Sequence, residues 1–259
     1  MKKIYFTVFV LITLCSGAIN SGWIKESRQG YDIFYTKGDG KNLIEYDAFF
    51  QKGIYEIGNF FERPFKESFR IYIHPTRKSL DSTWQKDWDI PDFESQCWMV
   101  ASGVSQRLDI LSPRSWDSLS CEHRYRDTLK TYRLIKHELV HVFHGQRNES
   151  PDFSVVEDVD WLVEGMATYV SGQCDNKRIS EVKEVISRKE YPRQLNVFWK
   201  GNSKYGLSGT MVMYIDDEFG RSKLIGLLQY NNLRDVLNEL DITEEELICN
   251  WKNFVEQLE

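Results

Sequence analysis

One five-residue stretch constrains this chain more than any other: His137-Glu138-Leu139-Val140-His141. Apolar residues Leu134, Ile135, Leu139, Val142 and Phe143 surround the polar trio in a run from Arg126 to Gly145 that reads as one helix, with Gly145 as its C-terminal stop. On a helix, residues four apart share a face, so both imidazoles can reach a single ion. Neutral imidazole suits zinc, and the glutamate beside the first histidine can reach a water on that ion. Burying two histidines and a glutamate without a partner is costly, and a metal offsets that cost. The competing reading is a surface amphipathic helix that matches the pattern by accident.

A catalytic zinc needs a third protein ligand and one open position. Glu164 is the candidate, a carboxylate on the otherwise apolar segment Trp161-Leu-Val-Glu-Gly-Met-Ala-Thr-Tyr169. Together the two segments resemble the gluzincin metallopeptidases, including the aminopeptidase-type and bacterial collagenase-type branches. The resemblance is strong over residues 126–220. It implies zinc held by His137, His141 and Glu164, Glu138 as general base, and a thermolysin-like catalytic fold. Tyr205 stands nine residues before Tyr214, which is followed six residues later by Gly220. That spacing is similar to the surroundings of the catalytic tyrosine in aminopeptidase-type gluzincins, which implies that Tyr205 donates a hydrogen bond to the oxyanion. Metzincins continue the motif with a glycine and a third histidine. Here those positions are His144 and Arg147, which excludes that class and leaves His144 a supporting role.

Three departures from the gluzincin pattern carry expectations. The 22 residues between His141 and Glu164 imply an inserted loop at 146–160. No Gly-x-Met-Glu-Asn motif precedes the metal helix, which argues against aminopeptidase action. Position 168, where thermolysin-like enzymes place an acid, is Thr168, so Asp158 and Asp160 become candidates to hold the imidazoles.

The N-terminus reads as an export signal. Lys2 and Lys3 precede an apolar run from Ile4 to Leu14 and the small residues Ser16-Gly17-Ala18. The run is short for a membrane span, and Leu14 is large for a lipidation site at Cys15. The expected organisation is a signal peptide, 1–18, and one metallopeptidase domain, 19–259. That domain divides into an α/β lobe, 19–145, ending in the metal helix, and a helical lobe, 146–259. Cleavage drops the 33 basic residues to 31 against 39 acidic ones, a net charge of −8 in place of −6, which makes nucleic acid an unfavourable partner. The mature chain belongs in the periplasm or outside the cell, with no permanent membrane span. Its cysteines, Cys97, Cys121, Cys174 and Cys249, suggest two disulfides with three pairings, and Cys97 with Cys121 is favoured because they flank one strand-and-loop segment.

The fold class expected is α+β: a small N-terminal mixed sheet with helices, then a mostly helical half, with the cleft between them. Alternation marks strands at 31–36, 69–74, 98–101 and 107–111, the last two joined through Gly103. The 107–111 strand is the candidate edge that pairs with substrate. Spacings of three and four mark helices from Asn42 to Pro64, over 76–88, 161–172, 208–219, 223–230 and 243–258, the last opened by a Thr243/Glu246 capping box. His74, at a strand end, is read as structural. The expected reaction is zinc-dependent peptide-bond hydrolysis on a peptide or protein substrate. The alternatives are a zinc-containing binding or inhibitory module without turnover, and hydrolysis of a non-peptide amide such as a cell-wall crosslink.

Overall fold

The computed structural model describes residues 22–258. The export signal expected at 1–18 lies outside them. The described part is α+β: a five-stranded mixed sheet with its helices comes first, and the chain is mostly helical after residue 112.

Strands β1 (Trp23–Arg28), β2 (Tyr31–Thr36), β3 (Phe69–His74), β4 (Ala101–Val104) and β5 (Arg107–Leu111) stand in the order β1-β2-β3-β5-β4. β2–β3 and β3–β5 are parallel; the outer pairs β1–β2 and β4–β5 are antiparallel. Helix α1 (Leu43–Phe60) makes the first crossover. Leu43, Tyr46, Phe50 and Ile57 form its buried face, the three-and-four spacing visible in the sequence. Helix α2 (Arg77–Asp87) follows β3 and is capped by the Thr76 side chain, which accepts from the Ser79 amide at 3.2 Å. His74 is structural, as expected. Its Nε2 lies 2.7 Å from Asp109 and its Nδ1 3.0 Å from Ser79.

Two strand assignments change. The strand expected at 98–101 is β4, over 101–104, and Gly103 lies inside it, so the turn falls at Ser105-Gln106. β5 is not an edge: it sits between β3 and β4, and β4 is the edge on that side. Hydrophobic alternation reports which face of a strand is buried, and β5 is buried over 108–111. It does not report strand order, which depends on pairings distant in sequence.

The remaining helices are α3 (Trp116–Leu119), α4 (Thr128–Gly145), α5 (Asp160–Val170), α6 (Asn176–Ser187), α7 (Lys204–Leu227), α8 (Leu233–Leu240) and α9 (Glu244–Gln257). α7 merges the two helices expected at 208–219 and 223–230. They meet at Gly220, whose φ of 82° and ψ of 161° break the helical path in a conformation that needs no side chain. The capping box of α9 forms as expected: the Thr243 side chain accepts from the Glu246 amide and the Glu246 carboxylate accepts from the Thr243 amide. The core is one cluster of buried side chains that reaches from Tyr31 in the sheet to Val255 in α9, and Trp84, Trp116, Trp161 and Trp251 are among its fully buried members. Among the described residues no helix is long and apolar enough to cross a membrane.

Cys97 and Cys121 form a disulfide, the favoured pair. The second disulfide does not form. Cys174 is a buried thiol and Cys249 an exposed one. Cys174 is held against Gly209 of α7, and burial pushes its pKa up to about 12. Cys249 lies on the outer face of α9, whose inner face carries Leu247, Ile248 and Trp251.

Candidate metal centre

Helix α4 begins where Asp127 accepts from the Lys130 amide, and from Leu139 to Gly145 it is buried on every side. It packs against α1, α5 and β4. The contact with β4 is close because Gly103 faces it. A Cβ on Gly103 would lie 2.2 Å from the Glu138 carbonyl oxygen. Across the other interface, a Cβ on Gly165 would lie 2.4 Å from the Ser208 carbonyl oxygen, so glycine lets α5 settle onto α7. The packing of α5 against α4 then brings Glu164 to the two histidines.

His137 and His141, one turn apart, meet with their Nε2 atoms 3.1 Å apart. The Glu164 carboxylate stands 3.4 Å from His137 Nε2 and 3.6 Å from His141 Nε2. These three side chains form a group that could hold a metal ion, each offering one ligand atom. Both histidines are buried, and their Nδ1 atoms have no hydrogen-bond partner. Two imidazole nitrogens at this distance repel unless one carries a proton or both face a cation, so the donor set fits a metal.

The electrostatics follow from the same crowding. Burial opposes ionisation of Glu164, yet the His141 and His137 rings overcome it and hold the carboxyl well below the usual range. Burial also opposes protonation of His141, and the Glu164 charge outweighs it, so the His141 pKa is raised. Glu138, on the same turn of α4, has its pKa raised by burial, with Glu164 adding to the effect and the two histidines opposing it. The neutral form of Tyr205 is favoured: burial first, then the Glu164 and Glu138 charges, push its pKa up to about 12.

A pocket of about 430 Å³ opens beside the centre, and His137, Glu138 and Tyr205 line it. Tyr205 is in the first turn of α7, its ring centroid 6.5 Å from that of His137. The opposite wall is the segment 98–101 that leads into β4. It is tied down by the disulfide, by the Arg77 guanidinium on the carbonyls of Gln96, Cys97 and Met99, and by a 3.1 Å contact between His123 Nε2 and the Trp98 carbonyl.

The insertion expected at 146–160 is the loop 146–159, and it is anchored. Asn148 Nδ2 donates to the Leu228 and Tyr230 carbonyls, each at 3.0 Å, and Glu157 bridges to Asn232. The loop carries Phe153, at a φ of 57°, edge-on to His141 and His144 with centroids 5.9 and 5.2 Å away. Nothing in its polar surroundings marks Phe153 in the sequence. Neither Asp158 nor Asp160 bonds the metal-site imidazoles, which corrects that expectation: Asp158 adopts a φ of 60° and caps Trp161 through its carbonyl, and Asp160 starts α5 one turn before Glu164. Nor does Thr168 make up for them, since its hydroxyl is buried and unpartnered. His144 is buried outside the ligand group, and burial drops its pKa to about 3. No family model matches the chain, and no curated protein does either.

Proposed function

We propose that the protein is an exported zinc metallopeptidase with a thermolysin-like catalytic core. The observation that carries this reading is the convergence of His137, His141 and Glu164 on one point, with Glu138 and Tyr205 facing the same pocket. Tetrahedral zinc with bonds of about 2.0–2.2 Å sets its ligand atoms roughly 3.3–3.6 Å apart. The two carboxylate–imidazole separations, 3.4 and 3.6 Å, fall in that range, and the 3.1 Å between the two imidazole nitrogens lies just below it. The Cys97–Cys121 disulfide supports an oxidising compartment.

When bound, zinc supplies Lewis acidity, lowering the pKa of water and polarising a carbonyl. The chain's own groups do the rest. Glu138 takes the proton of the attacking water, and its raised pKa suits a group that must later hand that proton to the leaving nitrogen. Tyr205 remains protonated at neutral pH and can donate to the oxyanion. β4, the free edge beside α4, offers its outward amides and carbonyls to an extended substrate backbone.

Metal analysis and a screen of quenched peptides and cell-wall fragments test the reading. One zinc per chain is expected, with peptide hydrolysis that Glu138→Gln lowers by about 10²- to 10⁴-fold while retaining zinc. Wild-type turnover in Glu138→Gln overturns the mechanism. Zinc with cleavage of cell-wall amides alone moves the substrate class, and zinc with no turnover on either leaves a binding module.

A further inference from the structure

Arg178, in the first turn of α6, is half-buried on the pocket wall, its guanidinium carbon 4.8 Å from the centre of the Tyr205 ring. Among the described residues its side chain has no hydrogen-bond or ion-pair partner. Every other half-buried arginine among the described residues holds an oxygen: Arg28, Arg107, Arg133 and Arg221 on carboxylates, Arg77 and Arg147 on carbonyls. Lys204, the residue before Tyr205 and outside the pocket lining, also approaches the Tyr205 ring. Its ammonium is 5.3 Å from that ring and 4.4 Å from the Trp199 ring, again with no carboxylate partner among the described residues. The Lys and Arg side chains that line the pocket besides Arg178 are neutralised locally: Arg133 by Asp175 at 3.0 Å, Lys130 by Asp127 at 3.0 Å and Lys177 by Glu181 at 3.9 Å. The arrangement is built rather than incidental, because Gly206 sits against the Arg178 backbone, a Cβ there lying 3.2 Å from its carbonyl oxygen, and so fixes α6 beside the start of α7.

Two cations close to the ring of the proposed oxyanion donor, neither paired with a carboxylate among the described residues, are suited to receive a carboxylate. We propose that the pocket selects acidic peptides, with Arg178 and Lys204 gripping a substrate carboxylate next to the bond that Glu138 and Tyr205 address. This rests on the peptidase reading. The carboxylate is either an acidic side chain or a free C-terminus, and Trp98 and Trp199 supply the apolar surround that strengthens its pairing.

Zinc-loaded Glu138→Gln protein, which binds without turning over, is titrated calorimetrically with matched peptides. One pair differs by Glu against Gln, another by a free against an amidated C-terminus. The carboxylate member of at least one pair is expected to bind about 10- to 100-fold tighter, with the advantage shrinking as salt rises. Adding Arg178→Gln removes the advantage and leaves neutral peptides unchanged, whereas Arg178→Lys restores part of it. Equal affinity across both pairs, no binding by any acidic peptide, or an Arg178→Gln effect equal on acidic and neutral peptides overturns the proposal. Acid-selective binding with no cleavage by the wild-type enzyme sinks the peptidase reading and leaves the carboxylate site standing. Cleavage without acid selectivity does the reverse.

Discussion

Replacing Gly103 by alanine tests whether the close seating of β4 on α4 builds the site. The added Cβ would lie 2.2 Å from the Glu138 carbonyl oxygen, 3.0 Å from its carbonyl carbon and 3.2 Å from His141 Cβ. Carbon atoms of this kind essentially never approach closer than 3.0 Å, so the gap must open by about 0.8 Å. The obstacle is helical backbone, which cannot swing aside as a side-chain end would. β4 is the element that gives, because among the described residues only β5 pairs with it. Overpacking of this size costs about 1–3 kcal/mol, and for a chain this long each kcal/mol lowers Tm by roughly 2–4 °C. A displacement near 1 Å between the substrate-facing strand and Glu138 costs turnover on the order of 10²-fold. Zinc content should hold, since the contact with His141 is the loosest of the three. Thermal unfolding, metal analysis and peptide hydrolysis on Gly103→Ala and on Gly58→Ala form the assay. Gly58 is inside α1, where a Cβ meets nothing nearer than 3.6 Å, so alanine there should stabilise by about 0.5–1 kcal/mol. Wild-type Tm and turnover in Gly103→Ala would refute the claim that this approach positions the site.

Glu164→Ala should strip the metal, because two histidines fall short of the three protein ligands usual at a catalytic site; full zinc occupancy in that variant removes Glu164 from the centre. Tyr205→Phe should lower turnover by about 10²- to 10³-fold with zinc intact, and an unchanged rate ends its proposed role. The neutral His144 makes acid destabilising: its folded pKa, about 3, lies below the ordinary 6.5, so between those values the unfolded chain takes up a proton the folded chain refuses. Stability should therefore fall as pH drops below about 6.5, by up to about 2 kcal/mol at pH 5 from this residue, and a His144→Met variant that loses Tm as steeply as wild type excludes it as the cause. Replacing Cys97 and Cys121 by serine opens a loop whose ends are 24 residues apart and should cost about 3 kcal/mol. Alkylation of the native chain should label Cys249 readily and Cys174 only after unfolding; two unreactive cysteine pairs would restore the second disulfide.

Much of the candidate metal site was legible in the chain because its chemistry is local. A four-residue spacing in an apolar helix puts His137 and His141 on one face whatever surrounds them. The same holds for the buried stripe of α1, the alternation of β2 and β3, and the Thr243 capping box, all set by contacts within a few residues. Glu164 came within reach through a pattern of neighbours on its own helix. What the sequence left open depends on partners far apart along the chain. Both β4 and β5 read as strands, but only pairing of β5 with β3, a segment more than 30 residues earlier, made β4 the edge. Two disulfides fitted the cysteine count, and tertiary packing decided on one by burying Cys174 at α7 and turning Cys249 to solvent. Nothing in the sequence singled out Arg178 or the helix that carries it. The arginine became a candidate ligand-binding residue only when α6 docked beside the start of α7, because an unpaired charge is a property of everything around it in space and leaves no mark on its neighbours in sequence.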